Sequence, residues 1–92
     1  MYSLKTTKQF EKDVRLCEKQ GLDLSRLYKV MTLLTTEGRL PNEYKPHKLK
    51  ENFIGKWECH VSPDWLLIYE KKEEIRLIKL IRTGSHSELF GK

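Results

Sequence analysis

The sequence predicts an α+β protein in which an N-terminal strand and a two-helix hairpin pack on one face of a small twisted, mainly antiparallel sheet. Three features carry that reading. Two consecutive stretches in the first half repeat apolar residues at helical spacing, strand patterns fill the second half, and the strand connections are short and polar. With 92 residues, the chain has room for a single domain, 1–92, whose core supplies only a few kcal/mol of net stability.

Tyr2 and Leu4 alternate with Ser3 and Lys5, the pattern of a short first strand over residues 1–5 with those two side chains inward. Thr6 or Thr7 then caps a helix, and Thr6 with Gln9 has capping-box spacing. Phe10, Val14 and Cys17 recur at i, i+4 and i+7 on one face, while the other face is almost wholly charged. Gly21 suits the left-handed position that closes this helix, and Asp23 caps the next. The second helix carries Leu27, Val30, Met31 and Leu34 to about Glu37, with Arg26 and Lys29 facing out, and Gly38 and Pro41 stop it.

Residues 39–55, RLPNEYKPHKLKENFIG, are rich in turn formers and lysine, with a short strand around His47 to Lys50. Their exposed cations, Arg39, Lys45, Lys48 and Lys50, fit either an edge guarded against sheet-to-sheet aggregation or contacts to phosphate. From Lys56 the alternation is clear: Trp57, Cys59 and Val61 point one way, and Glu58, His60 and Ser62 the other. After a Ser62-Pro63-Asp64 turn, Trp65 to Glu70 is apolar on both faces, as in a central strand. Lys71 to Glu74 makes a polar hairpin turn, Ile75 to Ile81 the last long strand, and His86 to Phe90 one helical turn.

A formal net charge of +5 favours polyanionic partners through counterion release. The apolar run Trp65-Leu66-Leu67-Ile68 falls far short of the roughly 20 residues needed to span a bilayer. MYSLKTTKQF also lacks the apolar core of a secretory signal, so a cytoplasmic protein with no membrane partner is expected. Cys17 and Cys59 have no CxxC spacing and read as buried free thiols.

His47, His60 and His86 all fall on loops and strand ends rather than in a helical apolar stripe, with Asp64 nearby. That placement fits general acid–base catalysis, which imidazole serves because its ordinary pKa is about 6.5. The histidine spacings match no local zinc motif, and Cys59 faces away from its neighbour His60 in a strand, so no metal site and no cofactor is expected. No serine sits in a nucleophile elbow, and neither cysteine has a partner base in view.

What remains is metal-free RNA cleavage, in which the substrate's own 2′-hydroxyl attacks the adjacent phosphate. This chemistry needs a base, a cation beside the phosphate and an acid for the departing 5′-oxygen. Arg82 suits the cation, because its planar fork matches phosphate oxygens, and Asp64 either orients a histidine or accepts the proton. Trp65 or Phe90 could stack on an unpaired base; both also fit core packing.

The helix-hairpin-then-strands order, H-K-L at 47–49, W-E-C-H-V-S-P-D-W-L-L-I-Y at 57–69 and R-T-G-S-H-S-E-L-F-G at 82–91 together resemble the YafQ branch of the RelE superfamily of bacterial toxins. The resemblance spans essentially the whole chain. Its specificity lies in combining the H-x-x-x-D-W corner with the R-x-G-x-H-x-x-L-F-G end. It implies the toxin of a type II toxin–antitoxin pair, a ribosome-dependent, metal-independent endoribonuclease that cuts messenger RNA in the ribosomal A site. It also implies a cognate antitoxin, often of ribbon-helix-helix type, through which the toxin meets DNA only indirectly.

By the same resemblance, His47, His60, Asp64 and His86 match catalytic positions, Arg82 the phosphate-binding arginine, and Trp65 and Phe90 positions tied to the site. The roles favoured are His86 as acid, His60 and Asp64 on the base side, and His47 supporting the scissile phosphate. In the RelE-like fold the sheet face opposite the helices is concave and receives RNA, making Lys45, Lys48, Lys50 and Lys56 candidates for RNA contacts. Two other classes stay open: a non-catalytic inhibitory toxin or RNA-binding module of the same fold, and a structural RNA-binding protein of the ribosome.

Overall fold

The computed structural model describes residues 1–91. Its elements are β1 (Ser3–Thr6), α1 (Lys8–Lys19), α2 (Leu24–Glu37), β2 (His47–Lys48), β3 (Trp57–Ser62), β4 (Trp65–Lys72), β5 (Leu77–Gly84) and α3 (His86–Phe90). The strands form one sheet in the order β1-β5-β4-β3-β2. β1 runs parallel to β5, whereas the other pairs are antiparallel. The helical hairpin carries the chain from β1 at one edge of the sheet to β2 at the other, and β3 and β4 lead back to β5, the parallel neighbour of β1.

Local chemistry sets the helix ends. Thr7, rather than Thr6, is the N-cap of α1: its hydroxyl accepts the Phe10 N–H and donates to the Ile81 carbonyl across the molecule. Gln9 donates its side-chain amide to Asp13 instead of completing a capping box. α2 starts on Asp23, whose carboxylate accepts the Ser25 N–H, and ends on Gly38 in the left-handed region, φ 70°. A Cβ on Gly38 would meet the Tyr2 ring at 2.2 Å, so this glycine is required by close approach as well as by its dihedral.

Two apolar clusters lie on the two faces of the sheet. On the helix face, Phe10, Cys17, Leu27, Val30 and Leu34 pack against Cys59, Val61, Trp65, Leu67, Tyr69, Ile78 and Leu80. On the opposite face, Leu66, Ile68 and Leu89 gather Leu49, Phe53, Ile81 and Phe90 around them. α3 and the turn at Glu51–Phe53 therefore close part of the second face. β4 has apolar neighbours on both sides, which explains its nearly continuous burial.

The middle segment departs most from its sequence pattern. β2 is only two residues long, and single 3₁₀ turns at Asn42–Tyr44 and Glu51–Phe53 flank it. β4 continues through Lys72, and the hairpin turns through a 3₁₀ segment at Glu73–Ile75 with Arg76 at φ 50°. Ile75 thus belongs to the exposed turn rather than to β5.

Candidate active site

The sheet register places His47, Arg82 and His60 in two neighbouring rows. His47 pairs with Glu58, Glu58 with Ile68, and Ile68 with Arg82, so one row crosses β2, β3, β4 and β5. In the next row His60 pairs with Leu66, and Leu66 with Gly84, two residues before His86. His60 and Gly84 are thus two strand spacings apart, about 10 Å. Asp64 sits in the β3–β4 turn beside the start of α3, its Oδ1 accepting the His86 backbone N–H at 3.3 Å.

Each imidazole has a different setting. His60 Nδ1 lies 3.3 Å from the Pro63 carbonyl oxygen. A carbonyl can only accept, so this contact requires the proton on Nδ1 and leaves the Nε2 lone pair of the neutral ring unused. His47 has acceptors at both nitrogens: the Lys45 carbonyl at 3.0 Å from Nδ1 and the Glu58 carboxylate at 3.1 Å from Nε2. A ring that donates to both has no lone pair to offer as a base. The His86 ring lies against Phe90, centroids 5.2 Å apart, and Phe90 in turn meets Phe53 edge-on at 5.6 Å.

The setting of α3 explains how His86 is held. Ser85 and Glu88 form a reciprocal capping box, so the short helix is anchored at the residue before the histidine. Glu88 is held below the usual carboxylate range, first by the Ser85 backbone N–H and then by the Gln20 side-chain amide. Leu89 anchors the other side of the helix in the second apolar cluster.

Several expected contributors have defined partners. Asp64 contacts the backbone of His86, so its visible effect is to position α3. Arg82 gives two of the five N–H donors of a guanidinium to Asp13, through Nε at 2.8 Å and Nη2 at 3.2 Å. β1 ends opposite Leu80, and beyond that point Arg82 reaches past the sheet edge to α1. The hydrogen bond to Asp13 raises the Arg82 pKa further, keeping the guanidinium charged.

Trp65 requires a correction. It is 2% exposed within the helix-side core, and its indole N–H donates to Thr83 Oγ1 at 2.9 Å. No face of this ring is open to an RNA base. Phe90 is half-buried beside His86.

The lysines also separate. Lys45, Lys48 and Lys50 are exposed, with Lys48 Nζ 5.7 Å from the Trp57 ring centroid, whereas half-buried Lys56 pairs with Glu70 at 3.7 Å.

Two functional neighbours were not singled out in the sequence. Asp13 is 6% exposed although it lies in a charged stretch, and it accepts from Arg82, the Thr83 backbone and Gln9. Only tertiary packing distinguishes it from its exposed neighbours. Glu58 is 4% exposed beneath His47. Its signal was its place on the His60 side of the strand alternation, and the β2–β3 pairing turns that signal into a contact.

Fold and site together define a small basic α+β protein with three histidines, an aspartate and an arginine on or beside its sheet. The family model for YafQ, a bacterial toxin of a type II toxin–antitoxin system, matches residues 2–91, and the chain belongs to this family. It is 43% identical over 84 residues to the mRNA interferase toxin YafQ of Escherichia coli (strain B / BL21-DE3), covering 90% of this chain and 89% of that protein. The crystal structure of YafQ from E. coli BL21(DE3) superposes with a TM-score of 0.90 at 38% identity, over 99% of this chain and 100% of that one. A chain of the E. coli DinJ–YafQ complex superposes with a TM-score of 0.89 at 39% identity, with the same coverage.

Proposed function

We propose that this protein is an mRNA interferase that cuts messenger RNA in the ribosomal A site without a metal, arresting translation. The observation that carries the reading is the pairing of His60, whose Nδ1–H contact leaves Nε2 able to take a proton, with His86 on a separately capped helix across β4. His60 Nε2 accepts the 2′-hydroxyl proton while the 2′-oxygen forms a bond to phosphorus. His86 gives a proton to the 5′-oxygen as its bond to phosphorus breaks. The products are a 2′,3′-cyclic phosphate and a free 5′-hydroxyl.

Negative charge grows on the phosphate during this exchange. The remaining Arg82 donors stabilise it, already oriented by Asp13 before the charge appears, and His47, set between the Lys45 carbonyl and the Glu58 carboxylate, supports the phosphate. Asp64 acts through His86 by holding the first turn of α3. Phe90 supports the His86 ring and offers an edge to a base, and the exposed Lys45, Lys48 and Lys50 meet the surrounding RNA.

The DinJ–YafQ complex supports a cognate antitoxin as partner, and we assign any link to DNA to an antitoxin of ribbon-helix-helix type. No helix among the described residues is long and apolar enough to cross a membrane, and we place the action in the cytoplasm, where translating ribosomes are.

End analysis of messenger RNA cut by the purified protein on translating ribosomes tests the chemistry. Fragments with 5′-hydroxyl and cyclic phosphate ends are the expected result. Ends bearing a 5′-phosphate contradict it, and translation arrest without any cut would favour a non-catalytic inhibitor.

A further inference from the structure

A cleft of about 540 Å³ opens between α2 and the β3–β4 corner, with His60, Ser62 and Pro63 on one wall and Arg26 and Lys29 on the other. Tyr44 and Lys45 close its end, and Glu43 is its one carboxylate. This volume falls within the range of sites that enclose a small organic ligand. The outward face of α2, which reads in the sequence as plain solvated surface, thus shares a concavity with the base-side histidine.

We propose that this cleft is a subsite for the phosphate backbone of a single RNA strand passing His60, with Arg26, Lys29 and Lys45 as its cationic contacts. The inference rests on the RNA-cleaving reading above and extends it to a surface outside the acid–base set. Three cations face one carboxylate, and no ion pair found among the described residues engages any of the three cationic side chains. Half-buried Tyr44 packs against the helix-side core, so its ring is a fixed aromatic wall for an unpaired base.

Lys45 joins the cleft to the active site. It is a non-glycine residue at φ 50°, held by its N–H to the Asn42 carbonyl, and such dihedrals concentrate where a residue is constrained for function. Its own carbonyl faces His47 Nδ1, while the residue lines the His60 cleft. An RNA strand held there would pass directly to the reacting phosphate. Because His60 itself forms the wall, the strand assigned to the cleft is the messenger rather than a remote ribosomal segment.

The test measures binding of a labelled single-stranded 2′-O-methyl oligoribonucleotide, which lacks the attacking hydroxyl, by anisotropy across a salt series. Wild type is compared with Arg26→Gln/Lys29→Gln and with Lys12→Gln/Lys19→Gln, a control pair exposed on α1. Each lost phosphate contact on a single strand lowers the log–log salt slope by about 0.7, so the cleft pair should lower it by about 1.4. The control pair should leave the slope near wild type.

Equal slopes and affinities for the two double variants would overturn the proposal, as would absence of oligonucleotide binding by wild type at low salt. A defect confined to vacant ribosomes, with oligonucleotide binding intact, also overturns it and assigns the cleft to ribosomal RNA. If the oligonucleotide slope drops as expected but the wild type cuts no translated message, the cleft stands and the cleavage reading fails.

Discussion

At the scale of the residue, the buried Glu58 carboxylate beneath His47 provides a sharp test of how a buried acceptor supports the site. Removing a hydrogen bond to a charged group costs about 1.5–3 kcal/mol, equivalent to about tenfold or more in rate if it is lost in the transition state. Glu58→Ala should therefore reduce message cleavage by at least about tenfold with the fold retained. Glu58→Gln, which keeps an acceptor oxygen for the ring, should recover part of that loss. Single-turnover rates together with circular dichroism check both, and equal rates for Glu58→Ala and wild type would leave His47 without a supporting role. The three histidines were legible because each fell outside the apolar helical stripes, where a titratable side chain meets the surface. Trp65 was legible as part of the same motif, but its burial and its bond to Thr83 depend on the β4–β5 pairing, which the motif alone does not encode.

At the scale of the element, α3 is short and depends on its cap. Ser85→Ala should cost about 1 kcal/mol, read as a fall in midpoint in urea unfolding. Glu88 has its folded pKa depressed by the Ser85 N–H and the Gln20 amide. Its stabilising contribution is therefore present above the unfolded value of about 4.3 and is lost as pH falls through the lower folded value. Hydrogen exchange at the Leu89 and Gly91 amides, which donate to the Ser85 and Ser87 carbonyls, should gain protection from acid toward neutral pH relative to the same amides in Glu88→Gln. No such pH-dependent difference would mean that the cap does not govern the helix. The helix boundaries followed closely from caps and glycines, because that chemistry is local. The 3₁₀ turns and two-residue β2 were less legible, since the length of that strand depends on how far β3 can offer it partners.

At the scale of the whole molecule, the Asp13–Arg82 pair ties the first helix to the end of the last strand, linking residues far apart in the chain. Asp13→Ala would leave Arg82 without its carboxylate and should destabilise the fold by about 3 kcal/mol, the low end for a broken buried pair because Arg82 still reaches water. Chemical denaturation measures that loss; a change under about 0.5 kcal/mol would show that the two halves hold together without the pair. The α+β class and the helical hairpin were readable from periodicity, but the parallel β1–β5 contact and the second apolar cluster arise only when the chain closes on itself. The account stands most directly on His86 as proton donor from the capped helix. Primer extension on translated messenger RNA should show cuts with the wild type, and a loss on the order of 10²–10⁴-fold with folded His86→Ala. Undiminished cuts by that folded variant would contradict the assignment.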